Sequence, residues 1–178
     1  MKLNPTDISG VFVLELPNSE DERGDFVKIL HRDSFVEQGL DADFAESYYS
    51  TSFKGVIRGM HFQLPPHDHS KLVYAVEGSV TDVLLDLRKD SDTFKEFITL
   101  ELSKGNRNAV YIPKGVAHGF EVTSDSATLV YMTTTVYHME SDTGILWNSI
   151  GHDWNNSDPN MSERDRSFVS LADFDSPF

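Results

Sequence analysis

Short runs of β-forming residues, each soon broken by Gly, Pro, Asn or Asp, constrain the fold of this 178-residue chain more than any other feature. The strands predicted from them are Gly10–Leu16, Ser47–Phe53, Val56–Gln63, Leu72–Val76, Ser79–Asp86, Phe94–Leu102, Asn108–Ile112, His118–Val122 and Ala127–Tyr137. Their Val, Ile, Tyr, Phe and Thr suit a pleated, half-buried surface. Ser79–Asp86 alternates, with Val80, Asp82 and Leu84 on one face and Thr81, Val83 and Leu85 on the other. Helix signals are few: Ser34 with Glu37 as a capping box stopped by Gly39, and a start at Ser162 with Asp165. No internal repeat or low-complexity tract is present. The pattern predicts an all-β jelly-roll barrel with one or two short peripheral helices. The length favours a single domain over residues 1–178, with a polar segment from about Asn155 wrapping the barrel.

Charge and composition then remove whole classes of function. A formal net charge of −14 repels nucleic acid and anionic membrane surfaces, so neither is an expected partner. An anionic metabolite remains open, provided that local cations gather where it binds. The absence of cysteine excludes disulfides and thiolate catalysis. No apolar run approaches the roughly 18 residues of a membrane span, and no signal peptide is evident, so the expected location is the cytoplasm.

Reactive side chains concentrate in two places. Arg58-Gly-Met-His61-Phe-Gln-Leu-Pro-Pro-His67-Asp-His69-Ser-Lys71 packs an arginine, three histidines and a lysine into fourteen residues. Tyr111-Ile-Pro113-Lys-Gly115-Val-Ala-His118-Gly-Phe120 puts a histidine just after a Pro/Gly turn, at the expected start of a strand. Metal-binding barrels of the cupin type use His-x-His, a nearby Glu and a later His. His67, His69 and His118 imitate three of those ligands. Glu77 lies eight residues past His69 in an expected turn, and Lys71 would oppose a bound cation. The expectation is therefore acid–base chemistry without metal.

Several blocks occur in a telling order: Arg58-Gly-Met-His-Phe-Gln63, Lys71-Leu-Val, Asp82-Val-x-x-Asp86-Leu-Arg88-Lys, Ile112-Pro-x-Gly-x-Ala-His118-Gly-Phe and Gly144-Ile-x-Trp-Asn148. Together, over about residues 23–165, they resemble the thymidine-diphospho-4-dehydrorhamnose 3,5-epimerase family. The resemblance implies a cupin-like jelly roll, a homodimer, a nucleotide-diphosphate sugar as substrate, no metal or organic cofactor, and inversion of carbons beside a carbon-4 ketone. It implies His61 as base, Asp165 as the carboxylate orienting it, Tyr131 as acid with Tyr137 as a competitor, and Lys71 as stabiliser of the enolate oxygen. An imidazole with an ordinary pKa near 6.5 accepts a proton at neutral pH, and a phenol near 10 retains one. Arg23, Arg58 and Arg164 would grip the diphosphate, and His118 would contact the ligand.

Departures from the family's pattern fall on the nucleotide side. Lys28 and Glu46 replace a Glu and a Gln, Tyr48 replaces an Asn, and Asp142 stands where a longer acid is usual. The base is therefore left open, as is the choice between one inverted carbon and two. Strand parity poses a further problem: Arg58 and His61 differ by an odd number and should face opposite ways unless Gly59 bends the strand. Rival readings are a sugar-nucleotide ketoisomerase on the same barrel, a metal-dependent cupin enzyme and a catalytically dead binding module.

Overall fold

The computed structural model describes residues 1–178. Its elements run β1 (Lys2–Pro5), β2 (Phe12–Glu15), β3 (Asn18–Asp21), β4 (Gly24–Val27), α1 (Arg32–Glu37), β5 (Glu46–Phe53), β6 (Ile57–Gln63) and β7 (Lys71–Glu77). They continue with β8 (Ser79–Asp86), β9 (Phe97–Ser103), β10 (Asn108–Ile112), β11 (Val116–Val122), β12 (Ser126–Thr133), β13 (Asp142–Gly144) and α2 (Glu163–Arg166). Two sheets form, in the orders β1-β2-β10-β7-β12-β5 and β13-β6-β11-β8-β9, and β3–β4 is a separate hairpin. All their strand pairs are antiparallel, giving the cupin-like jelly roll that the punctuated sequence predicts.

The alternation in β8 shows how the layers are built. Val80 and Leu84 point into the cluster between the two sheets, with Val73, Val110, Phe120 and Leu129. Val83 and Leu85 point the other way, into a second cluster with Met60, Phe62, Trp147, Trp154 and Leu171. Each fully buried aliphatic side chain contributes about 1.5–3 kcal/mol relative to exposure. The five-stranded sheet is thus covered on both faces, its outer one by residues beyond β13, with Phe174 and Phe178 set edge-on against Phe62.

Pairing between β6 and β11 resolves the parity problem. His61 lies opposite His118 and Arg58 opposite Phe120, so three steps on β6 match two on β11. This one-residue bulge brings Arg58 and His61 into phase. Only glycine fits at its centre: Gly59 has φ +130°, and a Cβ there would lie 2.4 Å from the Gly119 Cα.

Some boundaries differ from the sequence reading. Ser34 does not cap α1; the helix starts earlier, and the His31 side chain accepts the Ser34 N–H. Gly39, at φ +73°, does end the segment. The strand expected to reach Tyr137 stops at Thr133, which frees the following residues to form a loop over the barrel mouth. Phe94 and Lys95 form a turn and the strand starts only at Phe97, while β11 begins at Val116, ahead of His118. The strands β1, β3, β4 and β13 had no usable signal, because each has only three or four residues and β3 is exposed throughout.

Candidate active site

Side chains from both sheets converge where the edge strand β5 faces β6. His61 projects from β6 just past the bulge and is partly exposed, while Asp165, on α2, is 4% exposed. The His61 Nε2 lies 2.9 Å from Asp165 Oδ1. A carboxylate only accepts, so Nε2 carries the proton and Nδ1 keeps its lone pair. The second oxygen, Asp165 Oδ2, accepts the Gly59 N–H at 3.1 Å, tying the carboxylate to the bulge. Ser162 caps α2, as its sequence signal predicts, by accepting the Asp165 N–H at 3.0 Å. Burial pushes the Asp165 carboxyl upward, but His61 and the Gly59 N–H outweigh it and hold the group below its ordinary value.

Lys71 opens β7 and is 6% exposed. Its Nζ donates to the His61 carbonyl at 3.1 Å. Burial pulls this ammonium down to about 8, opposed by the charges of Asp142 and Asp82. His61 and Lys71 both line a cavity of about 320 Å³, together with Glu46, Tyr48, Tyr137, Asp142 and Arg164. A second cavity, of about 500 Å³, shares His61 and Arg164 and adds Arg58, Ser52 and Asp165. The two meet at His61. Arg164 pairs with Asp142 at 2.7 Å and lies over Phe168, whose ring is edge-on to His61. Arg58 Nε donates to Ser52 Oγ at 2.9 Å, which aims the guanidinium along the second cavity.

Four expected site residues lie elsewhere. Tyr131 is only 7% exposed and lines neither cavity, because the ring of Tyr48 stacks over it. Burial raises its phenol well above the usual range, partly offset by a hydrogen bond with Ser50. His118 is 4% exposed on a strand flanked by β6 and β8, and Asp82 Oδ1 engages its Nε2 at 2.6 Å. It lies one strand inside the mouth and does not contact the cavity. Arg23 and Lys28 belong to the β3–β4 hairpin and the residue that follows it. Arg23 folds back on Asp21, and the hairpin is held by Arg107 through Glu20 and Asp25. Neither residue lines either cavity of its own chain.

The sequence reading missed the residue that secures the mouth loop. Gln63 Oε1 accepts the His138 N–H at 2.7 Å and Gln63 Nε2 donates to the His67 carbonyl at 2.7 Å, joining two loops. Its place in the Arg58–Gln63 block was the available signal. Glu46 also supports that loop, accepting the Tyr137 N–H at 2.5 Å.

The imitated metal ligands are dispersed. His67 stacks on His138 with ring centroids 3.6 Å apart, and its Nδ1 meets Ser141 Oγ at 2.9 Å. His69 Nδ1 meets Thr135 Oγ1 at 3.2 Å, and burial with Lys71 and Lys114 nearby pushes its pKa down to about 3. No three His, Cys, Asp or Glu side chains converge as a ligand group.

Known proteins match this arrangement over nearly its whole length. A family model described as dTDP-4-dehydrorhamnose 3,5-epimerase matches residues 5–173. The dTDP-4-dehydrorhamnose 3,5-epimerase of Shigella flexneri is 39% identical over 178 residues, covering 98% of each chain. The dTDP-4-dehydrorhamnose 3-epimerase of Streptomyces niveus is 36% identical over 97% of this chain and 85% of its own. A Legionella pneumophila 3,5-epimerase, solved in complex with dTDP-4-keto-L-rhamnose, superposes with TM-score 0.92 at 33% identity, covering 98% of this chain and 94% of that one. The chain belongs to the dTDP-4-dehydrorhamnose 3,5-epimerase family.

Proposed function

We propose that this protein is an epimerase that inverts carbon 3, carbon 5 or both in a nucleotide-diphospho-4-keto-6-deoxy sugar by proton abstraction and opposite-face return. The observation that carries this reading is the oriented imidazole: His61 is tethered through Nε2 to a buried carboxylate, with Nδ1 left free in a cavity that also contains Lys71. The ketone acidifies the neighbouring C–H bonds, and His61 Nδ1 removes a proton from one of them. The Lys71 ammonium meets the negative charge that collects on the ketone oxygen. A phenol of the facing sheet, Tyr131 in this reading, returns a proton from the other side, past the edge of the Tyr48 ring that stacks over it. Asp165 keeps His61 in the useful tautomer and stabilises its cation, as in other base–orienter pairs.

Arg58 and Arg164 supply the local cations that an acidic chain needs for a diphosphate. Glu46, Tyr137 and Asp142 form the wall left for the nucleoside. Relatives named for dTDP sugars make thymidine the first base to test, and the departures at Lys28 and Glu46 make guanosine and cytidine the next. The test is turnover of a panel of nucleotide 4-keto sugars in deuterated water, read by NMR. Label and inversion beside the ketone are expected; a product with a displaced ketone indicates ketoisomerisation, and no label with any substrate rejects the reaction class.

A homodimer is part of the same proposal. Arg23 and Lys28 cannot serve their own cleft, so a role in binding requires the cleft of a second copy. Phe26, Tyr49 and Phe53 are 64%, 72% and 73% exposed, apolar surface that such a copy would cover. Sedimentation should give twice the 20.1 kDa chain mass; a monomer at every concentration would reject the dimer.

A further inference from the structure

Tyr48 and Tyr131 are direct partners in the β5–β12 register, so both side chains leave the sheet on one face. Their rings stack with centroids 4.9 Å apart and planes inclined by 16°. The facing sheet holds a matching pair, because His61 and His118 are partners on β6 and β11. Tyr131 meets His118 edge-on at 6.0 Å, one strand inside the mouth. Tyr48 instead shares with His61 and Lys71 the walls of the 320 Å³ cavity.

The two phenols also differ in their surroundings. The Tyr131 hydroxyl is hydrogen-bonded to Ser50 Oγ at 3.2 Å, and its ring is covered. Tyr48 is 45% exposed, and its hydroxyl has no hydrogen bond to the protein. Burial, with Glu46 and Asp142 nearby, pushes this phenol up to about 12, so it holds its proton at neutral pH. A side chain that covers one proton donor while presenting another changes which donor the substrate meets.

We propose that Tyr48 is a second catalytic acid, returning the proton to the ring carbon nearer the mouth while Tyr131 serves the carbon on the other side of the ketone. The proposal rests on the epimerase reading above and assigns inversion of both carbons to this enzyme. In the step, His61 Nδ1 takes the α-proton and the C–H electron pair becomes an enolate whose oxygen faces Lys71. The enolate carbon then takes the Tyr48 proton on the opposite face, restoring the ketone and leaving a phenolate. Water entering the open cleft reprotonates the phenolate and receives the proton from His61, so no net proton is consumed. Two stacked phenols supply one donor to each carbon, because the Tyr48 ring screens Tyr131 from the carbon nearer the mouth.

The test compares wild type, Tyr48→Phe, Tyr48→Asn and Tyr131→Phe in deuterated water, with configuration and label at carbons 3 and 5 read by NMR. The substrate is a nucleotide 4-keto-6-deoxy sugar that the wild type turns over. Wild type should invert both centres. Tyr48→Phe keeps the cover but has no proton to give; it should still exchange label at both carbons through His61, yet invert one at least tenfold more slowly. Tyr131→Phe should lose the other centre. Tyr48→Asn is too short to cover Tyr131, so it should recover both inversions, a result that a merely structural role for Tyr48 does not produce. Wild type inverting a single centre, Tyr48→Phe inverting both at the wild-type rate, both Phe variants losing the same centre, or Tyr48→Asn failing to recover the centre lost in Tyr48→Phe each overturns the proposal. Wild type incorporating no label from any substrate defeats the epimerase reading itself.

Discussion

His61→Asn should lower kcat by about 10²–10⁴-fold, the usual contribution of a positioned general base, while nucleotide affinity changes little. Asparagine retains a nitrogen that can donate to Asp165, which stays anchored by the Gly59 N–H, so the surrounding geometry should survive. What disappears is the free lone pair aimed at the substrate. Solvent-deuterium uptake measures the loss, and calorimetric titration with the nucleoside diphosphate shows whether the site is intact. A variant retaining most of its turnover would remove His61 from the role of base.

Lys71→Met is expected to cost about 10²–10³-fold in kcat, the scale measured when one donor to a developing oxyanion is removed. Methionine suits this buried position and leaves the neighbouring Leu72 and Val73 in place. The pH profile adds a second measurement. The protonated ammonium is the stabilising form, and burial sets its pKa at about 8. Wild-type kcat should therefore decline as pH rises through about 8, and the Met variant should lack that decline. An unchanged rate with an unchanged profile would place the stabiliser elsewhere.

The barrel was legible because strands buried on one face alternate and strands buried on both are continuously apolar, and β8 shows each pattern. The candidate site was legible where chemistry and local sequence coincide. His61, Lys71 and Arg58 fall in one dense block, and the Ser162 cap marks the turn that carries Asp165. Parity alone separated Arg58 from His61, since a bulge is a pairing property and Gly59 only hints at it. The place of Tyr131 was not legible for a related reason. Its burial depends on a ring 83 positions earlier in the chain, brought alongside by the β5–β12 register. His118 looked like a mouth residue because it follows a turn, yet its strand starts two residues earlier and lies between two others. Arg23 and Lys28 matched a motif whose location in space the chain alone does not supply.

His61 and Asp165 are separated by 104 residues, and the latter arrives on one of the last elements of the chain. During synthesis, therefore, nearly the whole barrel can assemble around an imidazole that still lacks its counterpart. The pair is completed late, when the tail folds back and docks beneath the Gly59 amide.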